Sequence, residues 1–103
     1  MKQIKSKKEF EEVLKELLKG KDGIIMFTAE GCPYCKEARE KMHDRDDIYD
    51  VVINEDTIDI VKSLQITSTP TIMVVKDKKI VRKVIGYADT VTEYIEKILR
   101  GEL

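Results

Sequence analysis

The chain has 103 residues, of which 42% are apolar and 38% charged. That is too apolar for a disordered segment, and 19 basic against 20 acidic side chains leave a net charge of −1, which argues against a nucleic-acid footprint or a polybasic membrane anchor. No apolar run approaches the roughly 20 residues of a membrane span, and the Lys-rich stretch from Met1 to Phe10 has no apolar segment behind it of the kind a secretion signal carries. One domain over residues 1–103, in the cytoplasm, is the expectation.

Residues 2–5 read as a short strand. Ser6-Lys7-Lys8-Glu9 is a capping box, and Phe10, Val13, Leu14, Leu17 and Leu18 then recur on one helical stripe that ends near Gly20. Ile24 to Phe27 is a continuous apolar run, too short for a helix, and reads as a strand buried on both faces at a sheet centre. Pro33 suits the first position of a helix running to about His43, with Cys35, Ala38 and Met42 inward and Lys36, Glu37, Glu40 and Lys41 outward. His43 at the end of that helix is a favourable partner for its dipole.

Ile48 to Ile53 reads as a strand. A short helix follows from Thr57 to Leu64, with Ile58, Val61 and Leu64 inward. Thr71 to Val75 and Ile80 to Ile85 are β-branched strands, joined by Lys76–Lys79 without the glycine or asparagine of a strong hairpin signal. Thr90 to Glu93 forms a second capping box ahead of the stripe Val91, Tyr94, Ile95, Ile98, Leu99. The order β-α-β-α-β-α-β-β-α implies an α/β fold. Parallel crossovers and a closing hairpin give a mixed sheet flanked by helices on both faces.

The chain has two cysteines, Cys32 and Cys35, in Cys-Pro-Tyr-Cys. A loop so short cannot staple a secreted fold. Redox chemistry, half of a zinc site, or an inert coincidence remain. A structural zinc wants four ligands, and only His43 is at hand, more than two helical turns past Cys35. Redox chemistry is favoured because strand, loop, Cys, Pro and helix agree in register. Cys32 falls at the helix N-cap, where backbone N–H groups and the dipole favour a thiolate, so its pKa should drop below the free value of about 8.5. Cys35, one turn deeper, should be buried and less ionised. That asymmetry suits thiol–disulfide exchange: Cys32 attacks and Cys35 resolves. Pro33 stiffens the site and Tyr34 lines its rim. Ser68-Thr69-Pro70-Thr71 precedes a buried strand, where proline is tolerated as the first strand residue.

Over nearly its whole length the chain resembles the thioredoxin superfamily. The resemblance rests on the N-terminal strand and helix, Phe27-Thr28-Ala29-Glu30-Gly31-Cys32, the Cys-x-x-Cys, Thr69-Pro70-Thr71, the hairpin, Gly86 and the terminal helix. It implies a cis peptide at Pro70, packed against the disulfide, and a Thr69 backbone that pairs with substrate. Two branches compete. The scaffold is similar to thioredoxin, but Pro33-Tyr34 is the glutaredoxin dipeptide. Gly31 stands where thioredoxins carry tryptophan, and Met26 where they bury an aspartate; Thr28 and solvent reaching past Gly31 are the substitutes at hand for that carboxylate. On the glutaredoxin side, Thr28 replaces the usual lysine of a glutathione site, and Gly86-Tyr87-Ala88-Asp89 stands for its Gly-Gly-x-Asp, with Asp89 left to hold the glutathione amine.

The resemblance implies a monomeric oxidoreductase that reduces protein disulfides and is recharged by a thioredoxin-reductase-type donor. The alternative is a glutathione-coupled glutaredoxin, with glutathione as co-substrate. No metal or cofactor beyond the Cys32–Cys35 disulfide, no nucleic acid and no membrane partner is expected. Pro33-Tyr34 and the missing aspartate together point to a potential at or above about −270 mV, toward about −200 to −230 mV.

Overall fold

The apolar run at 24–27 lies within β2 (Gly23–Thr28), a strand buried from end to end. The computed structural model describes all 103 residues. Before β2 come β1 (Lys2–Ile4) and α1 (Lys7–Leu18); after it come α2 (Pro33–Met42), β3 (Ile48–Val52), α3 (Ile58–Ser63), β4 (Thr71–Lys76), β5 (Lys79–Ile85) and α4 (Asp89–Leu99). The strands form one mixed sheet in the order β1-β3-β2-β4-β5, parallel on the β3 side of β2 and antiparallel on the β4 side.

Strand alternation divides the core in two. Ile25 and Phe27 face the side covered by α1 and α3, where Phe10, Val13, Leu17, Ile60 and Val61 pack against Tyr49, Val51, Met73 and Val75. Ile24 and Met26 face the side covered by α2 and α4, packing with Ala38, Met42, Ile48, Ile72, Val74, Ile95 and Ile98.

Ser6 caps α1 as expected, its Oγ accepting from the Glu9 N–H at 3.1 Å, but the reciprocal half of the box is displaced: the Glu9 carboxylate accepts from the Lys5 N–H, at 3.4 Å, rather than from that of Ser6. The box before α4 does not form. That helix starts at Asp89, its N-cap is Ala88, and no side chain caps it. Asp89 supplies instead a negative charge in the first turn, favourable to the dipole. The hairpin closes without glycine because Asp77 and Lys78 both adopt positive φ, 54° and 67°, the pairing a two-residue turn needs to follow the strand twist. In α3 the buried residues are Ile60 and Val61, while Ile58 and Leu64 pack from the margin.

Candidate active site

The register of the sheet places the site. Phe27 of β2 lies opposite Thr71 of β4, so the loop leaving β2 toward Cys32 and the segment entering β4 through Pro70 meet at one end of the sheet. That end lies beyond the carboxyl end of β2, between its parallel and antiparallel neighbours, where α/β sheets commonly hold ligands. Gly31 turns the chain into α2 with φ of +72°, a conformation that favours glycine.

Cys32 is the N-cap of α2, with extended backbone, and Pro33 is the first helical residue. The Cys35 N–H donates to Cys32 Sγ at 3.2 Å. The two cysteines are joined as a disulfide, Cα atoms 5.2 Å apart. Cys32 is partly exposed, whereas Cys35 has no exposed surface and sits inward with Ala38 and Met42. The difference in exposure follows from helix geometry: a residue at the cap lies outside the first turn, and one three positions later faces the sheet.

The Thr69–Pro70 peptide is cis, as the resemblance implies. Pro70 is buried, and the Thr69 carbonyl oxygen lies 3.5 Å from Cys32 Sγ. The Pro70 carbonyl accepts from the Gly86 N–H at 2.8 Å, which ties this segment to the turn before α4. Two clefts flank the disulfide helix. One, of about 610 Å³, is lined by Ala29, Glu30, Gly31, Cys32, Lys36 and Arg39 among others. The other, of about 420 Å³ and mostly apolar, is lined by Tyr34, Ile85, Gly86, Tyr87, Ala88 and Val91. Tyr34 is 60% exposed at its rim. His43 caps the far end of α2 and takes no part in this site. No group of three or more potential metal ligands occurs.

Beneath the helix lies a polar cluster that sequence reasoning missed. Asp50, in register with Met26 on the neighbouring strand, has no exposed surface. Arg39 Nε donates to its Oδ2 at 2.8 Å, the Thr28 hydroxyl donates to its Oδ1, and Arg39 Nη2 donates to Thr28 Oγ1. No buried polar side-chain atom in this cluster is left without a partner. The signal was there in retrospect. Asp50 interrupts the apolar run Ile48-Tyr49-Asp50-Val51-Val52, and Arg39 is four residues past Cys35, at the margin of the inner face. Thr28 is fully buried and committed to this cluster, whereas Asp89 is exposed at the start of α4.

The thioredoxin-like domain model matches residues 7–100. The chain belongs to the thioredoxin superfamily. Among solved structures it is similar to thioredoxin O1 of Arabidopsis thaliana, with a TM-score of 0.79 at 20% identity, covering 95% of this chain and 96% of that one. Thioredoxin f from spinach chloroplast matches with a TM-score of 0.75 at 22% identity, over 96% and 94% of the two chains. A poplar thioredoxin h matches with 0.72 at 25% identity, over 95% of each. No curated protein matches in sequence at a significant level. The superfamily fold and the disulfide-bonded pair indicate a thiol–disulfide oxidoreductase. No helix is long and apolar enough to cross a membrane.

Proposed function

We propose that the protein reduces disulfides of protein substrates by dithiol exchange, with Cys32 as nucleophile and Cys35 as resolving thiol. The supporting observation is the inequality of the two sulfurs. Cys32 Sγ sits at a helix N-terminus, accepts from the Cys35 N–H and reaches solvent, while Cys35 is fully buried. In the reduced protein the Cys32 thiolate attacks one sulfur of a substrate disulfide. That S–S bond breaks, and the departing thiolate takes a proton from solvent. The Cys35 thiol then gives up its proton and attacks Cys32 Sγ. The Cys32–Cys35 bond forms and the second substrate sulfur leaves, so two electrons have passed to the substrate. Thr69 and Pro70 on one side, and Pro33 and Tyr34 on the other, border the path by which the substrate disulfide reaches Cys32.

Electrons return from a thioredoxin-reductase-type donor in a reducing compartment, the cytoplasm on our reading. A glutathione-coupled cycle is the second reading, carried by the Pro33-Tyr34 dipeptide. The burial of Thr28 within the Asp50 cluster speaks against it, because the position taken by a glutathione-site lysine is turned away from solvent. An insulin-reduction assay decides between donors. We expect turnover with NADPH and thioredoxin reductase, and a potential between about −270 and −200 mV. Turnover with glutathione and glutathione reductase alone would select the second reading. No reduction of insulin or of a small disulfide with either donor would overturn both.

A further inference from the structure

The Arg39–Asp50 pair places a charge one helical turn from the buried cysteine, and the active-site chemistry described above does not use it. Arg39 and Cys35 are four residues apart on α2, where side chains are near neighbours with Cβ atoms about 5–6 Å apart. Arg39 also lines the cleft that holds Cys32. Two edges of its guanidinium are turned inward, Nε to Asp50 and Nη2 to Thr28. Its side chain is 28% exposed and that of Asp50 not at all.

We propose that Asp50 is an electrostatic positioning residue: it holds Arg39 beneath the disulfide helix and cancels its charge, which keeps that cation from making the two cysteines ionise more readily and from favouring the dithiol more strongly. The proposal rests on the redox reading of Cys32 and Cys35. An arginine without a counter-ion so close to the sulfurs would stabilise a thiolate, adding to the helix N-terminus and the Cys35 N–H. With Asp50 in contact the pair is neutral overall, and the helix terminus alone supplies the bias. Other groups around the sulfurs leave this role to Asp50. Glu30 and Lys36, which line the same cleft, carry opposite charges. The facing segment Ser68-Thr69-Pro70 has no titratable side chain, and Met26 and Ile72 of the sheet are apolar. Across the helix, Tyr34 and Tyr87 border the other cleft, and Asp89 stands exposed at the start of α4.

The test measures two properties of the full chain that need no substrate: the acidity of the outer thiol, from the pH dependence of alkylation, and the dithiol–disulfide equilibrium against a redox buffer. Asp50→Asn keeps shape and an acceptor but uncovers the cation. We expect about a tenfold more acidic outer thiol and an equilibrium displaced about tenfold toward dithiol, or about 30 mV upward. Arg39→Gln leaves the buried carboxylate unopposed and should move both quantities the opposite way. Asp50→Asn combined with Arg39→Gln should return them close to wild type.

Folded single variants that leave both quantities unmoved would overturn the proposal. So would single variants that shift in the same direction, as a merely loosened helix would produce. Should Asp50→Asn fail to fold, Arg39→Lys and Arg39→Gln decide it. Retention of wild-type values by the lysine variant alone supports the charge role, and equal behaviour of the two overturns it. A wild-type protein inert toward insulin, whose variants still show these opposed shifts, would refute the proposed function and leave this inference standing.

Discussion

Cys32 and Cys35 are three residues apart, yet one is a cap and the other lies inside a turn. Nothing beyond helix geometry is needed to set their exposures apart, which is why the partly exposed cap and the buried inner position were both legible from the sequence. The expected consequence is that Cys35→Ser accumulates a mixed disulfide through Cys32 with a substrate protein, seen as a reducible adduct on non-reducing gels. Cys32→Ser should give no adduct and keep its circular dichroism, since the replaced side chain stands at a helix tip. An adduct through Cys35 in the Cys32→Ser protein would reverse the assignment. Arg39, Asp50 and Thr28 were not legible in the same way. They come from α2, β3 and β2, and no spacing along the chain relates them. Only the Met26–Asp50 register and the seating of α2 on the sheet bring them together.

At the scale of the element, the two ends that resemble each other in sequence behave differently. Ser6 caps α1 and is met by Glu9, with the Lys5 N–H donating to Glu9 Oε1 at 3.4 Å. Ser6→Ala should therefore cost about 0.5–2 kcal/mol in urea unfolding. The start of α4 has no such cap. Ala88 already has the extended backbone of an N-cap, so Ala88→Ser should stabilise by a comparable amount, whereas Thr90→Ala should do little. The sequence pattern points to Thr90 as the cap, and the helix instead starts earlier, at Asp89, after an Ala88 with no capping side chain.

The approach to β3 carries a charge device. Arg45 donates through Nε and Nη2 to the Asp47 carboxylate at 3.0 and 2.9 Å and through Nη1 to Glu96 of α4 at 2.9 Å. The Arg45 hydrogen bonds hold the Asp47 carboxyl below the usual carboxylate range, against a smaller opposing effect of burial. A carboxylate depressed on folding stabilises above its unfolded pKa, and that contribution is lost as pH falls through the lower folded value. Asp47→Asn should thus lower Tm at pH 7, and the gap to wild type should narrow as pH drops below about 4.

Across the whole molecule the sheet separates two cores that share no side chain. Ile25 belongs to the α1–α3 side and Ile95 to the α2–α4 side. Ile25→Val and Ile95→Val should each cost about 0.5–1.5 kcal/mol, and the double variant should match their sum within about 0.5 kcal/mol. A larger departure, measured by denaturant unfolding, would mean that β2 transmits packing strain from one face to the other.

The elements and their order were written in local features: the apolar run of β2, the stripes of α1 and α4, and Pro33 behind a cysteine. These follow from periodicity and backbone sterics, which act over a few neighbouring residues, and a single chain carries them openly. Tertiary structure alone decided what meets what. The antiparallel seat of β4 beside β2 brings Thr69 and Pro70 to Cys32, and the parallel seat of β3 slides Asp50 under Arg39. Burial of a charged pair becomes tolerable only when packing delivers partners from separate elements at once, and that condition is a property of the assembled sheet rather than of any stretch of sequence.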